Sequence, residues 1–202
     1  METKAVIFDM GGVVIDYLNS RDYYEGYLQK KFGIDAIEAE KFIEGKLLPR
    51  LYEARMTESQ FYGEIAKKFG IRKRDVRWVE NFVEKAKVNT GLIEIIKKLR
   101  QKYTTAFFSN VDNAVYVKML ELVKPYINLF DYRFASCKLG LAKPKHAAFR
   151  LVLGKMGIAP EQAVFTDNDK NNVKGAKETG IKAVLFKNNM QLYIEFRKVG
   201  LL

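Results

Sequence analysis

Four apolar residues in succession, Ala5-Val6-Ile7-Phe8, run without a polar break into Asp9. A strand with one wet face alternates apolar and polar residues. An unbroken apolar run instead predicts a strand buried on both faces, here residues 4–8, as in parallel sheets. The next segment, Met10-Gly11-Gly12-Val13-Val14-Ile15-Asp16, puts two glycines beside a charged residue at the carboxyl end of that strand. Glycine lets backbone turn sharply and approach a ligand closely. Carboxyl strand ends are where open α/β sheets bind ligands. Asp9 is therefore a candidate nucleophile or metal ligand.

The buried-strand pattern returns after residue 90. Strands are expected at residues 103–108, 132–136, 163–166 and 182–186. They alternate with helices at residues 92–99, through Val117 to a stop at Pro125, at 145–156, through Val173 and Ala176 to Gly180, and at 189–198. Strands alternating with helices predict an α/β fold with a doubly wound parallel sheet.

Residues 17–89 break this pattern. They are charged, rich in Tyr and Phe, and spaced helically: Tyr23, Tyr24, Tyr27 and Leu28 form one i/i+4 face. The string Lys-Lys-Phe-Gly-Ile occurs at residues 30–34 and again at 67–71, so two helices are expected to end on left-handed caps, the first at Gly33. Thr57 followed by Gln60 predicts a capping box at the start of the second. A further helix is expected over residues 73–87, turning Val76, Val79, Phe82 and Val83 inward. The chain thus divides into a core domain, residues 1–16 and 90–202, and an inserted all-helical domain of about four helices, residues 17–89.

At 202 residues there is room for one such core with its insert. The single cysteine, Cys137, excludes an internal disulfide and fits a reducing compartment; it is expected to be inert. No run approaches a membrane span and no leader pattern opens the chain. The protein is expected to be cytoplasmic, without a membrane partner. The net charge is +11, and residues 17–90 hold 15 basic and 12 acidic residues against 20 and 12 elsewhere. The excess lies with Asp9, where it would draw an anionic substrate. The basic run Lys67, Lys68, Arg72, Lys73, Arg74 and Arg77 has acidic residues interleaved and reads as a solvated helix junction, so no nucleic-acid partner is expected.

Four strand ends or adjoining loops carry polar residues: Asp9, Ser109-Asn110, Lys143 and Asp167. Two acids converging on one point repel unless a cation lies between them. Paired oxygen ligands with vacant positions suit Mg²⁺, which also takes phosphate oxygens. Ser109 and Lys143 would then hold the remaining oxygens of a phosphoryl group.

The phrases Val6-Ile7-Phe8-Asp9-Met10-Gly11-Gly12-Val13, Phe107-Phe108-Ser109-Asn110, Gly140-Leu141-Ala142-Lys143-Pro144 and Val164-Phe165-Thr166-Asp167-Asn168, the last followed by Asn172-Val173-Lys174-Gly175-Ala176, resemble in order and spacing the four motifs of the haloacid dehalogenase-like (HAD) hydrolases. The helical insert resembles that superfamily's C1 cap on a Rossmann-like core. The resemblance implies a Mg²⁺-dependent phosphatase acting on a small phosphorylated metabolite, a sugar phosphate being one candidate. Asp9 would attack phosphorus in line and form an aspartyl-phosphate that water hydrolyses. The family's metal ligands fall on Asp9, the Gly11 carbonyl and Asp167, with Asn168 a further candidate. Its phosphate-binding positions fall on Gly12, Ser109, Asn110 and Lys143.

Two departures from the family pattern carry consequences. Gly11 stands where many such phosphatases place an aspartate as general acid and base, a function worth about 10²–10⁴-fold. Either the leaving group is already good, as in a sugar 1-phosphate or acyl phosphate, or Asp16, Tyr17, Tyr24 or water supplies the proton. Asn168 stands where many relatives carry a second acid, for which Asp169 could compensate. The aromatics of the insert are expected to form its small core, and among them Tyr17, Tyr23 and Tyr24, next to the entry to the insert, are the best placed to contact substrate. His146 is expected at a surface or capping position, and Asn172 is expected to order its loop. Two other readings compete: a metal-free dehalogenase, which Asp167 and Gly11 oppose because such enzymes tend to carry serine and tyrosine there, and a binding protein that lost turnover, which Gly11 alone supports. Nothing in the sequence fixes an oligomeric state.

Overall fold

β1 (Ala5–Phe8) is the central strand of the sheet in the computed structural model, which describes residues 2–16, 22–83 and 86–202. β2 (Ile15–Asp16) and β3 (Lys87–Val88) form a short antiparallel ribbon apart from that sheet. β4 (Thr104–Ser109), β5 (Tyr132–Ala135), β6 (Ala163–Asp167) and β7 (Lys182–Leu185) join β1 in the order β5-β4-β1-β6-β7, every pairing parallel. Successive crossovers run outward through β4 and β5, then return to the other side of β1 for β6 and β7. The order of strands reverses beside β1, and that reversal opens a crevice at the carboxyl ends of β1 and β6.

The unbroken apolar run of β1 is explained by its two faces. Val6 and Phe8 pack with the helices Thr90–Leu99, Asn113–Val123 and Asn189–Lys198, while Ala5 and Ile7 pack with His146–Met156 and Lys170–Glu178. Each successive side chain of a strand enters the opposite layer, so neither face tolerates a polar residue. The α-helix before Pro125 ends at Val123, and the proline falls in the first turn of the 3₁₀ segment Lys124–Leu129. Its missing N–H costs nothing there.

Residues 22–83 form a helical layer with a hydrophobic cluster of its own. Tyr23, Tyr24, Ile43, Phe61, Ile65 and Trp78 lie at its centre, with the Trp78 ring edge-on to Tyr23 at 4.9 Å and to Phe61 at 5.4 Å. Both repeated strings end helices as expected, on Gly33 at φ 68° and Gly70 at φ 65°. The Thr57 hydroxyl accepts from the Gln60 N–H, and the Gln60 side chain accepts from the Thr57 N–H, completing the capping box.

The continuous helix expected over residues 73–87 is not formed. A 3₁₀ turn, Lys73–Asp75, is followed by Arg77 at φ 39° and then by the helix Trp78–Val83. Two tyrosines of the cluster hold the backbone at the break. The Tyr27 hydroxyl donates to the Asp75 carbonyl at 2.7 Å and the Tyr23 hydroxyl donates to the Val76 carbonyl, which draws both acceptors toward the cluster. Val76 is buried and Val79 partly so, as expected; the Phe82 and Val83 side chains lie outside the described residues.

The layer leaves and rejoins the core through the ribbon, where Ile15 pairs with Val88 and Asp16 with Lys87. Asn89 braces the return: its amide donates to the Val13 carbonyl and exchanges hydrogen bonds of 2.9 and 2.8 Å with Asn189. Among the described residues no helix is long and apolar enough to cross a membrane.

Replacing Thr57 by Ala removes the hydroxyl half of the capping box and should cost about 1 kcal/mol. Urea denaturation should show the midpoint falling with an unchanged slope.

Candidate active site

The sheet places the predicted residues at one end. The Asp9 N–H donates to the Thr166 carbonyl at 2.8 Å, so Asp9 extends β1 alongside Asp167 at the end of β6. Neighbouring strands lie about 4.8 Å apart, close enough for the two carboxylates to share one counter-charge. Here that charge is Lys143, whose Nζ lies 2.6 Å from Asp9 Oδ1 and 2.7 Å from Asp167 Oδ2. All three are buried, Asp9 at 7% exposure, Lys143 at 4% and Asp167 at 0%. The ammonium also sits 5.4 Å from the Phe108 ring and 5.3 Å from the Phe165 ring, within cation–π range.

Burial first, then the Asp167 charge, pushes the Asp9 carboxyl up to about 7 against the opposing pull of Lys143. Burial works against charge on Lys143, but Asp167 and Asp9 outweigh it and its net shift is upward, keeping the side chain an ammonium.

Several residues fix these groups in place. Asn110 exchanges two hydrogen bonds with the Lys143 backbone, accepting from its N–H at 2.9 Å and donating to its carbonyl at 2.7 Å. The loop after the α-helical Ser136–Leu139 is thereby held to the end of β4. The Lys143–Pro144 peptide is cis. The Asn172 amide donates to Asp167 Oδ2 at 3.1 Å and the Asp169 N–H donates to Asp167 Oδ1 at 2.8 Å, so Asn172 orders the acid itself as well as its loop. Asp169 also caps the helix Lys170–Glu178, its carboxylate accepting from the Asn171 N–H. Gly12, at φ 75°, lies under Asn168; a Cβ there would stand 2.4 Å from the Asn168 amide nitrogen. His146 is partly exposed and pairs with Glu178 at 2.9 Å, the surface position expected of it. Cys137 is half-buried, and burial pushes its thiol up.

Over this end of the sheet lies a cavity of about 490 Å³ lined by Asp9, Gly11, Ser109, Asn110, Lys143, Asp167 and Asn168 on the core side. On the helical side it is lined by Glu44, Leu48, Pro49, Tyr52, Glu53 and Trp78. Tyr23 and Tyr24, expected to touch substrate, are instead buried in the helical cluster, at 0% and 1% exposure. The Tyr24 hydroxyl donates to Glu44 Oε1 at 3.2 Å. Tyr24 is thus removed as a proton source. Asp16 points to solvent from the ribbon, away from the cavity lining, and Tyr17 lies outside the described residues. Most of the helical-side lining, Glu44 to Glu53, was missed because it comes from the middle of the insert, far in sequence from its hinge. The buried Glu53 is ion-paired with Arg55 at 2.8 Å and with Lys145 of the core, two residues from Lys143.

The donor set fits a hard cation. Two carboxylates supply oxygen donors, with Asn168 on the same cavity wall, and a dication beside the acids would relieve the Asp167 repulsion that adds to burial in raising Asp9. Among the described residues no cluster of three or more His, Cys, Asp or Glu side chains is placed to hold a metal, so carbonyl groups would have to complete the shell.

The family model of haloacid dehalogenase-like hydrolases matches residues 3–180. A phosphorylated carbohydrates phosphatase of Thermotoga maritima is 28% identical over 192 residues, 90% of this chain and 83% of that protein. Drimenol cyclase of Aspergillus calidoustus is 29% identical over 138 residues, 65% of this chain and 26% of that protein. The chain spans about a quarter of the length of that cyclase and of the mammalian bifunctional epoxide hydrolases it also matches. Among solved structures, the magnesium complex of a HAD family enzyme from Bacteroides thetaiotaomicron superposes with a TM-score of 0.78 at 27% identity, covering 98% of this chain and all of that one. A 2-haloacid dehalogenase of Pseudomonas syringae superposes with a TM-score of 0.63 at 15% identity, covering 91% of this chain and 86% of that one, which speaks to fold alone.

Gly175, in the helix after β6, touches the loop of Lys143: a Cβ there would stand 2.3 Å from the Pro144 carbonyl oxygen. Gly175→Ala should therefore force helix and loop apart and cost about 1–3 kcal/mol. The loss should appear in urea denaturation, and a structure of the variant should show Lys143 Nζ withdrawn from one or both carboxylates.

Proposed function

The chain belongs to the haloacid dehalogenase-like hydrolases, and from that premise we propose that it is a Mg²⁺-dependent phosphatase of a small phosphorylated metabolite. The observation that carries this reading is the pair of buried carboxylates, Asp9 and Asp167, meeting at the Lys143 ammonium on the floor of a cavity large enough for a metabolite. Asp9 is the nucleophile. One of its oxygens forms a bond to phosphorus as the ester P–O bond breaks, giving an aspartyl-phosphate. Water then attacks phosphorus, releases phosphate and regenerates the carboxylate. Lys143 balances the charge of both the nucleophile and the phosphoryl oxygens. Ser109, buried at the end of β4, and the Asn110 N–H bind those oxygens; Gly12, expected to bind them too, has its N–H taken by the Ile15 carbonyl at 2.8 Å and lies under Asn168.

Asp9, the Gly11 carbonyl and Asp167 would hold Mg²⁺, with Asn168 beside them. Bound there, the ion supplies charge neutralisation for the transferring phosphoryl group. A buried Asp167 bonded to Lys143, Asn172 and the Asp169 N–H speaks against the metal-free dehalogenase, since that carboxylate would have no counterpart in its chemistry. The helical layer serves as the cap domain that selects the leaving group, through Glu44, Leu48, Tyr52, Glu53 and Trp78. Both acids among these are engaged, Glu44 by Tyr24 and Glu53 by Lys145 and Arg55. That engagement supports a leaving group which departs without a proton. The phosphatase of Thermotoga maritima supports the small-metabolite reading.

With p-nitrophenyl phosphate, Mg²⁺ should stimulate release of p-nitrophenol and EDTA should abolish it. Absence of metal-stimulated release from aryl, sugar and acyl phosphates alike would overturn the proposal. Asp9→Asn should reduce turnover to background. Asp167→Asn should leave the fold intact and raise the Mg²⁺ concentration needed for half-maximal rate; an unchanged metal response would remove Asp167 from the metal site.

A further inference from the structure

The cavity above Asp9 has a side branch. A second cavity of about 40 Å³ shares Gly11, Tyr52, Trp78, Ser109 and Asn110 with it, then runs between β2 and the helix Asn113–Val123. Its further lining is apolar: Ile15, Val111, Val115, Met119 and Leu122, with Ala86 at the edge. The charged groups that border it are turned elsewhere. The Asp112 carboxylate caps the helix, accepting from the Ala114 and Val115 N–H groups at 3.0 Å, and the Lys118 ammonium pairs with Glu121 at 3.0 Å. At about 10–15 Å³ for each water-sized group, the branch has room for about three. An apolar space of this size holds water poorly and suits three or four aliphatic carbons. It opens beside Gly11 and Ser109, next to the phosphoryl position, so that the group filling it belongs to the leaving group.

We propose that the substrate class is a short-chain acyl phosphate, whose aliphatic arm lies in this branch. The inference rests on the phosphatase reading above and narrows it. Two independent features meet in it. Gly11 offers no side-chain acid, so the leaving oxygen has to depart as a stable anion. The apolar branch disfavours the hydroxyl-rich leaving group of a sugar 1-phosphate, which also leaves well but whose hydroxyls would be unpaired against Val115 and Met119 wherever they entered it. A carboxylate leaving group satisfies both. Asp9 forms its bond to phosphorus while the acyl O–P bond breaks; the electron pair stays on the departing carboxylate, which takes no proton at neutral pH. The phosphoryl group passes from one carboxylate to another, so the departing oxygen needs no acid assistance. Water then attacks the aspartyl-phosphate, phosphate leaves, and the water proton passes to solvent.

The homologous series acetyl, propionyl, butyryl and hexanoyl phosphate isolates the branch, because the leaving carboxylates are nearly equal in basicity and differ only in apolar length. With Mg²⁺ present, kcat/KM should rise about fourfold for each methylene from acetyl to butyryl, then level off or fall at hexanoyl. Val115→Phe fills the branch and should bring the butyryl-to-acetyl ratio toward one; Val115→Leu should lower it partway and serves if the larger residue does not fold. A series that is flat in the native protein, or slower throughout than glucose 1-phosphate, overturns the acyl-phosphate inference and leaves the phosphatase standing. Failure of Mg²⁺ to stimulate hydrolysis of any of these esters, p-nitrophenyl phosphate included, overturns both.

Discussion

One ammonium group shared by two buried carboxylates governs this end of the molecule. Asp9 and Asp167 arrive from adjacent parallel strands whose spacing is fixed by main-chain hydrogen bonding, so neither can retreat from the other. Buried like charges at such a distance are tolerated only with a cation between them. Lys143 meets that demand from a third segment, and the rest of the local structure exists to keep it there. Asn110 clamps its backbone, Pro144 packs against Gly175, and two phenyl rings lie beside its charged end. The same arrangement that solves an electrostatic problem in the free protein is the one on which the proposed phosphoryl transfer rests.

The parts that were readable in the sequence are those whose chemistry is local. The apolar run of β1, its terminal Asp9 and the paired glycines announce a strand buried on both faces with a carboxylate at its end, and the structure places them so. Ser109, Lys143 and Asp167 were legible for the same reason, each closing or following an apolar run. The capping box at Thr57 and the glycine stops at residues 33 and 70 depend on three or four neighbours only, and they formed as written.

What sequence could not show is orientation. Tyr23 and Tyr24 stand near the hinge in the chain, but helical geometry turns their rings into the insert's own cluster, where burial of aromatic area outweighs any contact with substrate. The residues that do face the cavity, Glu44 through Glu53 and Trp78, are spaced like any amphipathic helical segment; which face looks at the sheet depends on how the layer docks. The break at Arg77 is a similar case. Nothing within residues 73–87 forbids a helix, and the hydroxyls that interrupt it come from some fifty residues earlier in the chain, at Tyr23 and Tyr27.

The two rings beside Lys143 belong to the hydrophobic interior. Phe108 and Phe165 each stack edge-on against Phe149, at 5.8 and 5.4 Å, in the layer beneath the sheet. The quadrupoles that help hold the ammonium are thus positioned by a residue that never meets solvent or ligand. In this molecule the boundary between scaffold and reagent is blurred: Phe149, ordinary packing by every local measure, sets part of the electric field in which a phosphoryl group would move.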